Sequence, residues 1–157
     1  MPVPRASKVP GSIALFITIA VGVVVATPAA SFAKTPGRES NRATGHCLDS
    51  NWAGDVYAIG CNGGTFQIWN KVKKNFGYAL IDVKTGLCLD DDRSAGRLKT
   101  NKCNYGSYQQ WTADPGPDAN PRIWKSVATM RCLDDDISAG KVKTNDCNGG
   151  NFQRWQD

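Results

Sequence analysis

The side chains that could hold a ligand recur at fixed places in a repeated segment. In the stretch CLDSNWAGDVYAIGCNGGTFQIW, Asp49 follows Cys-Leu, Asn62 follows the second cysteine, and Phe66 stands just before Gln-x-Trp. A carboxylate and an amide can hydrogen-bond adjacent hydroxyl groups, while an aromatic ring can cover an apolar face. A sugar offers both kinds of surface, so this set of residues has the chemistry to hold one.

The segment occurs three times along the chain. It starts at Cys47, returns as CLDDDRSAGRLKTNKCNYGSYQQW from Cys88, and returns again as CLDDDISAGKVKTNDCNGGNFQRW from Cys132. A period of about 40 residues is typical of a repeat architecture. We therefore interpret the domain as one unit that is built three times.

Each copy contains two of the six cysteines. Six cysteines can pair in many ways, but one bridge inside each copy treats the copies alike without joining different units. The expected bridges are Cys47–Cys61, Cys88–Cys103 and Cys132–Cys147. Zinc is a weak alternative, because the chain has no Cys-x-x-Cys and its one histidine, His46, has no counterpart in the other copies.

Residues 1–33 have the pattern of an export signal. Arg5 and Lys8 precede the uncharged apolar run Ile13–Ala26, and small residues flank Phe32 at the expected cleavage site after Ala33. The run is shorter than the roughly 20 residues that span a bilayer, although an uncleaved anchor remains the alternative. We therefore expect a secreted, extracellular protein with no membrane span after cleavage, whose cysteines form disulfides because they meet an oxidising environment.

The net charge of +5 for the whole chain decreases when the signal leaves. The remaining positive charge is too mild to indicate a nucleic-acid partner. Residues 34–39 are polar and contain Pro36 and Gly37, so they are expected to form a flexible lead-in to a domain at 40–157.

Short strands separated by turns are predicted within each copy, and no stretch has a convincing helical period. This pattern is typical of an all-β barrel or sandwich. In the first copy the predicted strands are 46–49, 56–61, 66–70 and 78–83. The repeats are placed at about 45–86, 87–130 and 131–157, and the last one must borrow residues 40–44 as its fourth strand. That segment offers no apolar side chains, so the strand is expected to be short or frayed.

Gln-x-Trp has a physical explanation in an extended segment, where residues two apart face the same side. Each tryptophan can then point to a common centre while the glutamine satisfies backbone groups beside the ring. The expected core consists of Trp69, Trp111 and Trp155 near a pseudo-threefold axis, with Leu48, Leu89 and Leu133 around them.

Cys-Leu-Asp, Cys-Asn-Gly-Gly and Gln-x-Trp, repeated three times, resemble the pattern of the ricin-type β-trefoil lectins. The resemblance covers about 110 residues and implies a β-trefoil with pseudo-threefold symmetry that binds carbohydrate without catalysis. Within the family, the run LDSN-x-x-G-x-VY of repeat one is most similar to actinohivin-like members, which are small three-repeat lectins for mannose-rich glycans.

The resemblance also implies the site residues. In repeat one they are Asp49 and Asn62 as hydrogen-bonding groups, Tyr57, Ile59 and Phe66 as walls, and Gln67 beside them. Repeats two and three keep counterparts in Asp90, Asn104 and Tyr108, and in Asp134, Asn148 and Phe152. Their middle strands differ, because Lys99 and Lys143 replace the tyrosine, and Asn101 and Asn145 replace the isoleucine. Either these pockets have lost sugar binding, or they prefer a glycan that carries an anion. A local ion pair between the lysine and an aspartate, worth little at a surface, is the further alternative.

The runs Asp90–Asp92 and Asp134–Asp136 raise two other hypotheses. Calcium usually needs about six or more oxygen ligands, and repeat one has only Asp49-Ser50-Asn51 at this place. Glycoside hydrolysis needs two carboxyl groups that face each other across a cleft, and nothing in the sequence places a second one. We therefore expect no metal, no cofactor and no enzymatic activity.

The sequence thus predicts a secreted lectin for neutral hexoses, mannose-type or galactose-type, with a shallow site in repeat one and multivalency if the other sites work. The main alternative is a protein-interaction module or protease inhibitor with degenerate sugar sites. Its contact surface would be Trp52 and the loop at 115–121. A third alternative is a targeting subunit for a separately encoded toxin or hydrolase. Trp52 either extends the first sugar site or caps the edge of the core.

Overall fold

Short β-strands make up most of the regular structure. The computed structural model describes residues 36–92, 98–136 and 141–157, and the predicted signal segment lies outside these ranges. The strands are β1 (Ser40–Asn41), β2 (His46–Ser50), β3 (Val56–Gly60), β4 (Trp69–Lys73), β5 (Tyr78–Asp82), β6 (Cys88–Asp90), β7 (Lys99–Asn101), β8 (Trp111–Asp114), β9 (Ile123–Ser126), β10 (Cys132–Asp136), β11 (Lys141–Asn145) and β12 (Trp155–Gln156). One-turn 3₁₀ helices occupy Thr65–Gln67, Ser107–Gln109 and Asn151–Gln153. Within the described ranges, no helix is long and apolar enough to span a bilayer.

The strands form the same antiparallel pattern in each repeat. The first two strands of a repeat pair with each other, as β2 does with β3, β6 with β7 and β10 with β11. The third and fourth strands also pair, as β4 with β5, β8 with β9 and β12 with β1. The predicted all-β trefoil is confirmed. The expected bridges inside the repeats, Cys47–Cys61, Cys88–Cys103 and Cys132–Cys147, are confirmed as well.

The core contains the residues that the repeated motif predicts, together with Val56, Leu80, Leu98, Trp124 and Val142. The three motif tryptophans and the three leucines after the first cysteines are fully buried: Trp69, Trp111, Trp155, Leu48, Leu89 and Leu133. Each indole also makes a hydrogen bond across its repeat, since Trp69 Nε1 donates to the carbonyl of Leu48 at 3.0 Å. The same bond recurs in the other repeats at 3.2 Å and 3.0 Å. The core therefore combines apolar burial with satisfied indole N–H groups.

The strand that closes the third repeat comes from the start of the domain. β1 is only two residues long, and Asn41 pairs with Trp155 while Ser40 pairs with both Gln156 and Cys47. The strand registers place Glu39 where the other repeats have Leu80 and Trp124, because Ser40, Ile81 and Lys125 each pair with the first cysteine of a repeat. A carboxylate thus occupies a position of the apolar core.

Buried cations compensate this carboxylate. Glu39 is fully buried, and its Oε1 lies 2.8 Å from Lys71 Nζ and 2.9 Å from Arg122 Nη1. Its Oε2 accepts a hydrogen bond of 2.9 Å from Trp124 Nε1. Asp157 also contacts both cations, at 2.7 Å from Lys71 and 2.9 Å from Arg122. The first and last residues of the trefoil are therefore joined by a buried ionic cluster.

Part of the expected lead-in is bound to the domain. The amide of Gly37 donates to the carbonyl of Trp69 at 3.2 Å, and the amide of Trp69 donates back to Gly37 at 2.9 Å. Glu39 follows immediately and has no solvent exposure. Residues 37–39 are thus not a flexible lead-in, because the backbone of Gly37 and the side chain of Glu39 are bound within the trefoil.

We predict that Glu39→Ala destabilises the protein by about 3–5 kcal/mol. The substitution leaves Lys71 and Arg122 buried with only Asp157 as a counter-charge, which is the costly way to break a buried ion pair. Chemical denaturation of the purified domain measures the change in free energy of unfolding.

The combined variant Glu39→Leu, Lys71→Ala and Arg122→Tyr is the control, because it installs the residues found at the equivalent places in repeat two or repeat one. It should lose less stability than Glu39→Ala, since it removes both buried cations together with the carboxylate, and its remaining loss reflects the Trp124 N–H, which no longer has its acceptor. A Glu39→Ala protein as stable as wild type would show that the ionic cluster does not stabilise the junction between the first and last strands of the trefoil.

Candidate functional site

A buried glutamine side chain brings the predicted polar residues of repeat one together. Gln67 lies in the 3₁₀ helix Thr65–Gln67, and its Nε2 donates to Asp49 Oδ2 at 2.8 Å and to the carbonyl of Gly60 at 3.2 Å. Its Oε1 accepts from the amide of Asn62 at 2.9 Å. The glutamine therefore fixes Asp49 on β2 relative to the turn that carries Asn62.

The Asn62 side chain shapes its own turn. Its Oδ1 accepts a hydrogen bond of 2.7 Å from the amide of Gly64. A Cβ atom at Gly64 would lie 2.8 Å from this oxygen, so the second glycine of Asn-Gly-Gly leaves room for the asparagine. Within the described ranges, Asn62 Nδ2 has no protein partner and Asn62 is exposed, so this amide group can donate to a ligand.

The walls of the candidate site are mainly apolar. Tyr57 and Ile59 lie on β3, and the exposed fraction of Ile59 is 41%. Tyr57 is paired with Asp49 across the hairpin, and its hydroxyl donates to the carbonyl of Ser50 at 3.2 Å. Phe66 is half-buried and precedes Gln67. The six residues predicted in repeat one thus lie on neighbouring elements around one carboxylate.

Burial affects the titration of the two acidic groups at the site. It raises the pKa of Asp49 above the ordinary 3.8, and the charge of Asp82 adds to this effect, although hydrogen bonds from Gln67, Ser50 and Tyr57 oppose it. Burial and the neighbouring Asp49 charge also raise the pKa of Tyr57 above 10.0. The phenol therefore keeps its proton at neutral pH.

Repeats two and three keep the same glutamine bridge. Gln109 Nε2 donates to Asp90 at 2.8 Å, and Gln153 Nε2 donates to Asp134 at 2.9 Å. The asparagine turns are also kept, since Gly106 and Gly150 donate to the asparagine side chains at 2.7 Å. The predicted secondary residues lie at equivalent places in these repeats: Asp90, Asn104 and Tyr108, and Asp134, Asn148 and Phe152.

The middle strands of these two repeats make a different environment for the aspartate. Asn101 Nδ2 donates to Asp90 Oδ2 at 3.0 Å, and Asn145 Nδ2 donates to Asp134 Oδ2 at 3.2 Å. The carboxylate oxygen that accepts from the glutamine therefore accepts a second protein donor. In repeat one, Ile59 stands at this place and cannot donate such a bond.

The lysines that replace Tyr57 are paired with acidic residues. Lys99 Nζ lies 3.5 Å from Asp92 Oδ2, and Lys143 Nζ lies 2.7 Å from Asp136 Oδ2. These aspartates are the third members of the two Asp-Asp-Asp runs, whereas repeat one has Asn51 there. The sequence leaves this pairing open as a local ion pair, and the joint appearance of a lysine and a third aspartate in both repeats is the signal that favours it.

The middle aspartate of each run connects one repeat to the next. Asp91 accepts hydrogen bonds from the hydroxyl of Thr129 and from that of Thr144, the latter at 2.8 Å. Asp135 accepts from Thr44 at 2.5 Å. The three aspartates of a run thus contact the glutamine, the adjacent repeat and the lysine, and they do not converge on one point.

A cavity of about 340 Å³ lies elsewhere, beside the hairpin of β8 and β9. Its lining includes Asp114, Lys125 and the bridged Cys132 and Cys147. None of the residues predicted to bind carbohydrate lines it. The candidate site is accordingly an open surface feature built on β2, β3 and the turn after β3.

Comparison with known proteins places residues 35–155 within the model of the ricin-type beta-trefoil lectin domain. This match covers more than half of the chain. No curated protein matches the sequence significantly.

Solved structures with the same fold include a designed threefold symmetric protein, ThreeFoil, with a TM-score of 0.66 at 23% identity over 76% of this chain and 94% of that one. The BEL beta-trefoil gives a TM-score of 0.65 at 19% identity over 76% and 88% of the two chains. The hemolytic lectin CEL-III gives 0.63 at 26% identity over 77% of this chain, which spans only 29% of that lectin.

We predict that the carboxyl group of Asp49 titrates above pH 3.8 in the folded protein. Because its native pKa is raised above the unfolded value, the native state binds the proton more tightly. The stability that this group contributes is therefore present below about pH 3.8 and is lost as the pH rises through the native pKa. Carboxyl-detected NMR measures the midpoint.

The variant Asp49→Asn provides the matching stability measurement. It lacks the titration, so its free energy of unfolding relative to wild type should rise between pH 3.8 and the native pKa and then remain constant. An Asp49 midpoint at or below 3.8 would contradict the dominant role of burial.

Proposed function

The chain belongs to the ricin-type β-trefoil lectin domain family, and from this premise we propose that it is a secreted lectin that binds carbohydrate without catalysis, through repeat one. The observation that carries the proposal is the combination around Asp49. In repeat one a buried carboxylate held by Gln67 lies beside an exposed Ile59 and an aromatic wall. A sugar needs this pairing of a hydroxyl acceptor with apolar surface.

The contacts in repeats two and three favour loss of sugar binding there. Asn101 and Asn145 donate to the same aspartate oxygen, Oδ2, that accepts from the glutamine, and they put a polar side chain where repeat one has the apolar Ile59. Each lysine is already paired with an aspartate, Lys99 with Asp92 after β6 and Lys143 with Asp136 on β10, so a glycan anion would have to compete with that pair. Both features support repeat one as the principal site, and they disfavour the alternative of acidic-glycan recognition by the other repeats.

Neutral hexoses are the ligands that we propose. The walls of repeat one are Tyr57, Ile59 and Phe66, which offer no charge to a substituent. The likeness of LDSN-x-x-G-x-VY to actinohivin-like lectins supports mannose-type glycans, and galactose-type glycans are the alternative within the family. Phe66 stands where the family often has tyrosine, so we expect one hydroxyl contact fewer.

A single open site of this kind should bind one sugar weakly. Multivalent lectins gain roughly 10² to 10⁴ in affinity when several sites engage one glycan. If repeats two and three no longer bind, that gain requires self-association or attachment to a separately encoded partner such as a toxin or hydrolase. The proposed lectin is thus a recognition unit whose affinity depends on how it is presented.

We predict that Asp49→Ala abolishes binding on a glycan array, because it removes the acceptor at the base of the site. Asp90→Ala and Asp134→Ala are the matched controls, since they remove the equivalent carboxylates of the other repeats. These variants should keep the wild-type binding pattern.

Unchanged binding by Asp49→Ala, with loss in either control, would move the site to another repeat. If the wild-type domain binds no glycan, the lectin proposal fails. A protein captured through the loop at 115–121 would then support the interaction-module alternative.

We further predict that repeat two can be given a sugar site by Lys99→Tyr with Asn101→Ile. These changes copy Tyr57 and Ile59, remove the donor that occupies Asp90, and restore an apolar wall. Affinity for a multivalent mannose glycoprotein should increase at least tenfold over wild type, as two sites per molecule allow. Lys99→Ala with Asn101→Ala is the control and should show no increase, and an equal increase in both would disprove the role of the wall.

A further inference from the structure

One tryptophan of the chain lies at the surface. The exposed fraction of Trp52 is 68%, whereas the other four tryptophans, Trp69, Trp111, Trp124 and Trp155, are fully buried. Trp52 is therefore not a cap of the core. A single exposed aromatic side chain is common at a protein surface, so a role for Trp52 has to be argued from its surroundings.

The loop that carries Trp52 is held firmly. Asn51 Nδ2 donates to Asp55 Oδ2 at 3.1 Å, and the amide of Asp55 donates back to Asn51 Oδ1 at 3.0 Å. The loop also rests on repeat two, because the carbonyl of Gly54 accepts from the amide of Thr100 at 2.8 Å. Gly54 has a φ of +84°, and a Cβ there would lie 2.8 Å from the Thr100 carbonyl oxygen, so glycine is required. The backbone thus presents Trp52 from a fixed support.

The indole ring borders the candidate site. Its ring centre lies 5.8 Å from that of Phe66, and the two ring planes are 86° apart. Phe66 is a wall of the site and directly precedes Gln67, which holds Asp49. Trp52 and Phe66 therefore form a corner of two nearly perpendicular aromatic planes, one carried by the 51–55 loop and the other by the helical turn that holds Gln67.

We propose that Trp52 is the platform for a second sugar ring, so that repeat one recognises a disaccharide unit rather than one hexose. The inference rests on the proposed lectin function of this repeat. One ring contacts Asp49, Asn62 and Phe66, and the neighbouring ring lays its apolar face on the indole. Lys84 Nζ lies over the Trp52 ring, 6.0 Å from its centre, so the second sugar ring uses the opposite face of the indole or displaces this lysine.

The sequence makes this platform particular to repeat one. Arg93 and Ile137 stand at the corresponding positions of repeats two and three, and neither is aromatic. The aromatic corner therefore occurs in the same repeat whose aspartate has no asparagine donor beside it.

Titration calorimetry with mannose and an α-linked mannobiose, and with galactose and lactose, tests the platform. In the wild-type domain we expect the preferred disaccharide to bind about tenfold more tightly than its monosaccharide, because one ring face is removed from water. Trp52→Ala should abolish this preference and leave the monosaccharide affinity unchanged. Phe76→Ala is the matched control, because Phe76 is 69% exposed on the loop between β4 and β5 and should change neither affinity.

The outcomes separate the inference from the function on which it rests. If Asp49→Ala abolishes binding but Trp52→Ala leaves the disaccharide preference intact, the platform is disproved and the lectin stands. If Trp52→Ala weakens both ligands equally, Trp52 belongs to the first ring and the second-ring assignment is wrong. If no sugar binds to wild type, or Asp49→Ala is without effect, the proposed function fails and the inference fails with it.

Fluorescence quenching gives an independent reading that requires no mutation. Acrylamide should quench Trp52 selectively, since the other tryptophans are buried. Disaccharide at saturation should protect this component, and monosaccharide should protect it much less. Equal protection by both, or none by the disaccharide, contradicts the proposal.

Discussion

The side-chain amide of a buried glutamine is the group on which both fold and site depend. Gln67 donates to Asp49 and to a backbone carbonyl and accepts from the amide of Asn62, and its counterparts in the other repeats do the same. Removing such a group leaves several buried partners unsatisfied, each at a cost of roughly 1–3 kcal/mol. The aspartate and the asparagine turn therefore stabilise the fold even in a repeat that binds nothing. Their recurrence is explained by structure, and the walls decide whether a repeat can hold a sugar.

This dual role explains what could be predicted from the sequence. The repeated motif predicts the bridges and the tryptophan core, because equivalent residues take equivalent positions, and its resemblance to the ricin-type lectins implies the trefoil. Glu39 does not follow from it. A glutamate in a polar segment is normally solvated. The burial of Glu39 depends on Lys71 on β4, Arg122 just before β9 and Asp157 just after β12, all of which are distant in sequence. A local sequence pattern cannot indicate a buried charge that is stabilised only when the first and last segments of the trefoil come together.

The candidate site could also be predicted only as far as its contacts follow from the repeated motif. The sequence predicts that Asp49, Asn62 and an aromatic residue belong together, and the structure brings them around Gln67. The sequence leaves open whether Lys99 and Lys143 bind an anionic glycan. Lys99 pairs with Asp92, and Lys143 pairs with Asp136. These pairs follow from the strand register, because β7 and β11 set each lysine opposite the first aspartate of its run. Specificity here is determined by cross-strand neighbours.

Repeat one also differs in how it joins the adjacent repeat. Asp91 accepts from Thr144 of repeat three, and Asp135 accepts from Thr44 at the junction with repeat one, but repeat one has Ser50 at this position. Within the described ranges, Ser50 Oγ and Thr100 Oγ1 have no hydrogen-bond partner. The contact with repeat two comes instead from the backbone of the 51–55 loop, through Gly54 and Thr100. An interface made by the loop itself holds the loop rigid, and that rigidity is what an exposed aromatic platform needs if it is to bind without a large loss of conformational entropy.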